Sequence, residues 1–149
     1  ILRLAWSELF LLRAAYWPID VSALIRWALS TERKDPSMST SGLLRRVLAM
    51  CQKLNLDAVE LSLLETLILC RTDLVVNGDL EKILSGSRAR AQTTLGHYVG
   101  QTSPHQPARF GDLLLILPVL CGPSSRGLQN MLFRPIIGDI PVEQVITTI

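Results

Sequence analysis

The opening segment carries apolar side chains on nearly every side of a helix, and no other feature of the sequence limits the possible folds as strongly. Residues 1–15 contain no Gly and no Pro. Their strong polar exceptions are Arg3, Ser7, Glu8 and Arg13. A helix that is apolar all round is stable only when other elements cover it on several sides. We therefore expect this segment to be a helix buried at the centre of the domain and ended by Pro18.

The composition supports one folded domain. The chain has 149 residues, of which 48% are apolar and 19% charged, and this balance excludes a disordered segment. The net charge of +2 is too small to indicate a surface for DNA or RNA. The longest uncharged apolar run, residues 113–125, contains two prolines and is shorter than the ~20 residues of a membrane span. We expect neither a membrane segment nor direct nucleic-acid binding here.

The chemistry of an enzyme or a metal site is missing from the pattern. The cysteines, Cys51, Cys70 and Cys121, are far apart and form no C-x-x-C pair, so we expect three reduced thiols and no zinc. Only two histidines occur, His97 and His105, and neither has a suitably spaced partner. No nucleotide-binding glycine motif is present. The sequence predicts no enzymatic activity and no cofactor.

Further helices follow from apolar periodicity and capping residues. Apolar side chains recur at helical spacing from Leu43 to Leu54, and Asp57 with Glu60 resembles a capping box for a helix reaching about Cys70. Asp79 can cap a helix over residues 80–100. Pro107 suits the start of a helix that is kinked or broken near Pro118, and Pro141 can open a last short helix.

One insertion interrupts this helical pattern. Residues 16–29 have no sustained period and predict a turn or short β-hairpin, and residues 31–42 predict a solvated loop. The fold class is therefore all-α with a small β-hairpin or irregular insertion. The chain begins at Ile1 without an initiator Met, and we expect it to be a fragment.

Four blocks resemble the ligand-binding domain of nuclear receptors, in the branch of retinoid X, COUP and tailless/photoreceptor-type orphan receptors. LRLAWSELFLLRAA at residues 2–15 is similar to the family's helix 4/5, and LNLDAVELSLLETLILC at 54–70 to helix 8. QPARFGDLLLILP at 106–118 resembles the start of helix 10. LFRPIIGDIPVEQVITTI at 132–149 resembles the end of helix 11 and helix 12. Trp17 and the QP-x-RFG run favour the tailless/photoreceptor group.

This resemblance implies a three-layer helical sandwich spanning helices 4/5 to 12. Residues 1–149 would be part of a ligand-binding domain that lacks helices 1 and 3 and the DNA-binding domain with its zinc fingers. The protein would be an orphan nuclear receptor, a transcription factor of the nucleus. It would form a homodimer, or a heterodimer with another nuclear receptor, and would recruit corepressors or coactivators. DNA and zinc would bind only through the missing domain.

The resemblance also assigns roles to particular side chains. Glu8 and Arg109 match positions that tie the central helix to the loop before helix 10, and we expect them to form an ion pair. The family's dimer surface corresponds to a stripe of apolar side chains on the helix that resembles helix 10. We expect this stripe both to contact a second receptor and to pack in the core. Its members are Phe110, Leu113, Leu114, Leu117 and Leu120.

Trp17 lies at or beside the position where retinoid-binding relatives carry an arginine that pairs with the carboxylate of the ligand. An indole cannot supply that charge, and the resemblance therefore implies a small or filled ligand pocket. The resemblance leaves open whether a lipophilic ligand binds.

The last helix departs from the family pattern. Its apolar docking face consists of Val142, Val145, Ile146 and Ile149. Activating receptors place an acidic residue where this chain has Thr148, and that acid caps the end of a coactivator helix. The resemblance therefore implies weak coactivator recruitment and a bias toward repression.

Two alternatives remain at this point. A truncated receptor isoform would act by titrating partner receptors, and an unrelated all-α interaction module would only mimic the family's helices.

Overall fold

The computed structural model describes residues 1–17 and 40–148, and its regular elements there are all helical. The predicted hairpin at 16–29 and most of the loop at 31–42 lie outside the described residues. The longer helices are α1 (Leu2–Ala14), α2 (Thr40–Leu54), α3 (Ala58–Leu69), α4 (Gly78–Thr102) and α5 (Arg109–Leu120). A 3₁₀ turn (Thr72–Leu74) follows α3. The chain then forms α6 (Ser125–Leu128), a π-helical segment (Gln129–Phe133), α7 (Arg134–Ile137) and α8 (Val142–Thr148).

Helix α1 lies at the centre of the described part, as its apolar circumference predicts. It packs against α2, α3, α5 and α8. Ala5, Leu11 and Leu12 are completely buried. Even Glu8, which faces the same interior, is only 7% exposed. The pattern of side chains in α1 therefore determines where the core forms.

Helix α2 is amphipathic, as predicted, and its end is set by Asn55. Its inner face buries Leu44, Val47 and Cys51, while Lys53 is exposed on the outer face. Asn55 adopts a left-handed conformation with φ of 50°, which Asn tolerates better than most residues. Burial raises the pKa of the Cys51 thiol to about 11, so this thiol is neutral and unreactive at physiological pH.

Helix α3 begins with the predicted capping box. The Asp57 carboxylate accepts a hydrogen bond from the Glu60 backbone N–H at 2.8 Å, and the Glu60 carboxylate accepts one from the Asp57 N–H at 3.2 Å. The hydroxyl of Tyr98 on α4 also donates to Asp57 at 2.7 Å. Burial alone would raise the pKa of Asp57, but these hydrogen bonds outweigh it and leave the pKa below its usual value.

Helix α4 is longer than the predicted 80–100 span, and its capping residue differs from the prediction. The side chain of Asn77 accepts hydrogen bonds from the backbone N–H groups of Asp79 and Leu80, so Asn77 caps the helix and Asp79 lies inside its first turn. Asp79 there still interacts favourably with the helix dipole. The helix buries Ala91, Leu95 and Val99 and packs on α3 and α5.

Candidate functional site

The C-terminal helix α8 is held against α1 by a hydrogen bond and by apolar contacts. The indole N–H of Trp6 donates to the Glu143 carboxylate at 3.0 Å. Val142 is 8% exposed, and Ile146 packs against the core. The start of α8 is thus fixed to the central helix of the domain.

The π-helical segment supplies a second attachment. The Gln129 side chain accepts from the backbone N–H of Val142 and donates to the carbonyl of Ile140, both at 3.4 Å. Phe133, at the other end of the segment, packs edge-on against Trp6 and Phe10, with ring centroids 5.6 and 5.2 Å away. Short π-helical insertions occur frequently at functional sites. In this chain the segment directs Gln129 toward the start of α8 and Phe133 toward α1.

Only part of the predicted docking face of α8 points inward. Val142 and Ile146, one turn apart, face the core, whereas Val145 is 36% exposed. Position 145 lies at the edge of the side that α8 places against α1, and the docking of Val145 stays a prediction. Thr148 is exposed, and its hydroxyl donates to the carbonyl of Val145. Ile149 lies outside the described residues.

The predicted dimer stripe on α5 divides between core and surface. Leu113 and Leu120 are completely buried, which contradicts their assignment to an interface. Phe110, Leu114 and Leu117 are partly buried and pack against the same core. We expect Leu113 and Leu117, or their neighbours, to divide the core face from the dimer face, and Leu113 lies on the core face.

Sequence reasoning missed Leu115, which is 66% exposed. Gly111, Asp112 and Pro118 are exposed beside it. A signal was present in the sequence, because Leu115 follows Gly111 by four residues and Asp112 by three and so lies on the polar side of the helix.

A shallow apolar groove runs between α2 and α5. Met50, Lys53 and Leu54 form one wall, and Asp112, Leu115 and Ile116 form the other. The groove has a volume of about 520 Å³. Met50 is 48% exposed, so two large apolar side chains face solvent from opposite walls. We call this feature the α2–α5 groove.

The predicted ion pair between Glu8 and Arg109 is not formed, because each residue has another partner. Glu8 accepts a hydrogen bond from Arg71 at 2.9 Å, and Arg71 also binds Asp73. Arg109 makes two hydrogen bonds to the Glu60 carboxylate, at 2.8 and 2.7 Å. The hydrogen bonds with Glu60 more than offset desolvation and raise the pKa of the Arg109 guanidinium.

Arg109 pairs with Glu60 because the two side chains lie close together at the start of α3. The Glu60 carboxylate lies beside the end of α2, where Arg109 also donates to the carbonyl of Leu54 at 3.0 Å. A buried carboxylate needs a charged or hydrogen-bonding partner, and Arg71 supplies one to Glu8 from the segment after α3. The predicted pairing of Glu8 with Arg109 is therefore wrong, although each of the two residues forms an ion pair.

Trp17 lies at the end of the first described segment. It is 45% exposed, and its ring packs edge-on against Phe10 with the centroids 5.7 Å apart. Its assignment to a ligand pocket stays a prediction.

Within residues 1–17 and 40–148, no group of three or more His, Cys, Asp or Glu side chains converges in a way that could hold a metal ion. In the same residues, no helix has the length and hydropathy needed to cross a membrane.

Comparisons with known proteins identify what the chain is similar to. Residues 1–133 match the family model for the ligand-binding domain of nuclear hormone receptor. The chain is 32% identical to the steroid receptor seven-up, isoforms B/C, of Drosophila melanogaster, over 98% of the chain and 28% of the relative. It is 32% identical to nuclear receptor subfamily 2 group F member 5 of Danio rerio, over 98% of the chain and 38% of the relative. It is 30% identical to nuclear receptor subfamily 2 group F member 6 of Rattus norvegicus, over 98% of the chain and 39% of the relative.

Proposed function

The chain belongs to the nuclear hormone receptor family, of which it carries part of the ligand-binding domain, and we propose that it dimerises and recruits coregulators for a repressor-biased orphan receptor. The membership confirms the predicted family and the helical-sandwich fold class, and it overturns the alternative of an unrelated all-α module. The relatives reported above fall on the COUP side of the expected branch rather than in the tailless/photoreceptor group. The chain spans less than two fifths of the length of these relatives.

The activities of the whole protein are part of this proposal. The family consists of transcription factors, and we place this protein in the nucleus, bound to DNA through a zinc-finger domain outside residues 1–149. No enzymatic activity is proposed. A lipophilic ligand, if one binds, would have to fit without the arginine that Trp17 replaces.

The observation that carries the repressor bias is the composition of α8. This helix keeps the apolar pair Val142 and Ile146 that docks it on the domain, but its exposed end carries the neutral Thr148 where activating receptors have an acid. Glu143 does not substitute for that acid, since it lies in the first turn and accepts the hydrogen bond from Trp6. A coregulator helix is held mainly by its apolar anchors, so loss of the acid weakens coactivator binding without abolishing it.

Restoring the acid tests this proposal. In the full-length protein, Thr148→Glu should tighten binding of an L-x-x-L-L coactivator peptide roughly tenfold, the effect of one charge-assisted hydrogen bond. Fluorescence anisotropy with a labelled peptide gives the affinity. Thr147→Glu, on the neighbouring exposed residue, is the matched control and should change little. Tight binding of the peptide by the unchanged protein would contradict the repressor bias.

Dimerisation is proposed through the exposed side of α5. Leu115 is 66% exposed in the middle of the helix that corresponds to the family's dimer surface, and Pro118 is exposed one turn later. Covering an exposed apolar side chain with a second apolar surface removes it from water and so favours association. Leu115 therefore replaces Leu113 and Leu120 as the residue that we assign to contact with a second receptor.

A further inference from the structure

We propose that helix α4 pairs with α4 of a second copy of this chain, through a surface separate from α5. The two helices run antiparallel, Asp79 of each copy faces Arg90 of the other, and Ile83 of each copy packs over Gly86 of the other. Three observations carry this inference: a largely exposed face of α4, a glycine in the middle of that face, and opposite charges at its two ends. It does not depend on the proposed dimerisation through α5.

One side of α4 combines charged, apolar and small residues and is open to solvent. Its members, which we call the α4 face, are Asp79, Ile83, Gly86 and Arg90. They follow one another at intervals of four, three and four residues, which places them on one side of a helix. Ile83 is 64% exposed, and both charged residues are exposed.

The α4 face is distinct from the side of α4 that packs on α5. That side includes Gly96, where a Cβ would lie 3.6 Å from the ring of Phe110. Gly96 follows Ile83 by thirteen residues, which corresponds to a rotation of roughly 140° around the helix. A contact through the α4 face therefore leaves α5 in its place in the fold and does not use its exposed side.

Gly86 lies in the interior of the 25-residue helix α4, where every residue type except Pro would favour the helix more. Among the described residues, and apart from the backbone of α4 itself, a Cβ at this position would meet only the Arg90 guanidinium within 4 Å, at 3.5 Å. Packing inside the chain therefore does not require glycine here. The close approach of a second helix would require it, because glycine leaves a space that a side chain such as Ile83 can fill.

The charges of the α4 face have opposite signs and lie at its two ends. Asp79 is in the first turn of α4, and its carboxylate forms no ion pair in the part of the chain that the structure describes. Arg90 donates to the neutral hydroxyl of Ser87 at 3.2 Å and has no carboxylate partner within those residues. The two charges are roughly 16 Å apart along the axis, too far to pair within one helix.

A second copy of the chain pairs both charges and fills the space above the glycine. In a two-fold dimer, a contact from residue i to residue j is repeated from j to i. An axis perpendicular to α4 and midway between Asp79 and Arg90 sets each carboxylate opposite the guanidinium of the other copy. Because this axis is also midway between Ile83 and Gly86, each isoleucine then lies over the glycine of the other copy. The α4 face is thus complementary to itself in charge and in shape.

Charge reversal tests this pairing in the full-length protein, measured by analytical ultracentrifugation. All variants carry Leu115→Ser, which removes the proposed contact through α5, so that the remaining association reports on α4. Asp79→Lys and Arg90→Glu each set like charges together in both contacts, and each should raise the dissociation constant about tenfold or more. Glu81→Lys, in the same turn as Asp79 but on the other side of α4, is the matched control and should leave association unchanged.

Combining the two charge changes distinguishes this pairing from a general effect of charge. An equimolar mixture of the Asp79→Lys and Arg90→Glu variants restores an attraction in both contacts, and so does the double variant with itself. Both should associate nearly as tightly as the parent protein with Leu115→Ser alone. If either associates as weakly as the single variants, or if the parent is monomeric at every concentration, the α4 pairing is wrong.

Gly86→Leu tests the close approach of the two helices. Leucine is a better helix former than glycine and should not lower the melting temperature, but its side chain would occupy the space that Ile83 of the other copy fills. The dissociation constant should therefore rise about tenfold or more while thermal unfolding shows an intact fold. A dissociation constant that Gly86→Leu leaves unchanged would overturn the pairing.

Leu115 separates this inference from the proposed function. The unchanged protein contains both surfaces and should form assemblies larger than a dimer, whereas Leu115→Ser should leave only the dimer paired through α4. If Leu115→Ser does not alter the association, dimerisation through α5 is wrong and the charge variants still decide the α4 pairing. If Leu115→Ser converts a dimer to a monomer, the contact through α5 stands and the α4 pairing is overturned.

Discussion

At the scale of single residues, buried charge pairs connect helices that are distant in the sequence. Glu60 and Arg109 are 49 positions apart, and their side chains are 3% and 15% exposed. Arg13 and Glu65 also form a pair, but Arg13 is 54% exposed there. Breaking a buried pair leaves an uncompensated charge in a poorly hydrated site, whereas breaking an exposed pair leaves both charges in water.

We therefore expect Arg109→Ala to lower the free energy of unfolding by about 3 kcal/mol. The matched change Arg13→Ala should lower it by less than about 1 kcal/mol. Urea unfolding followed by circular dichroism measures both in the full-length protein. Equal losses from the two variants would mean that the Glu60–Arg109 pair makes no special contribution.

At the scale of elements, the position of α8 depends on few contacts: the hydrogen bond from Trp6 on α1, the hydrogen bonds of Gln129 and a short apolar contact. Because α8 has only seven residues, its own backbone hydrogen bonds cannot hold it in place. We expect Glu143→Ala to remove the hydrogen bond from Trp6 and to cost about 1.5 kcal/mol, which is roughly a tenfold rise in the opening of α8. Hydrogen–deuterium exchange of the α8 amides would report this as faster exchange.

Glu143→Gln separates the hydrogen bond from the charge. It keeps a side-chain oxygen that can accept from the Trp6 indole but removes the negative charge in the first turn of α8. Exchange in this variant should stay close to that of the unchanged protein. If the Ala variant exchanges no faster than the Gln variant, Trp6 does not control the docking of α8.

At the scale of the whole molecule, apolar surface remains uncovered in addition to the α2–α5 groove. Leu2 and Leu4 on α1 are 48% and 59% exposed, and Ile136 is 78% exposed between the π-helical segment and α8. A soluble monomer tolerates patches of at most a few hundred Å². We expect residues 1–149 in isolation to aggregate or to fold only partly. Sedimentation and thermal unfolding test this, and a monomer with a sharp cooperative transition would contradict it.

Features that depend on neighbouring residues could be predicted from the sequence alone. The all-round apolar pattern placed α1 at the centre, and the spacing of Asp57 and Glu60 predicted their capping box. Both signals are local enough to be read over a few turns of the chain. The family resemblance added the expected order of the helices, and the match over residues 1–133 confirms the family.

Contacts between side chains on different helices, in contrast, were set by the packing of the folded chain. Leu113 and Leu115 are both leucines and lie two positions apart, yet Leu113 is completely buried and Leu115 is 66% exposed. The difference arises because the packing of α2 and α4 covers only one side of α5. Glu8 pairs with Arg71 from 63 positions away. The energy of such a contact depends on distance and burial, which no local pattern records. Local patterns thus specify the helices, and their packing specifies which residues are left to bind a partner.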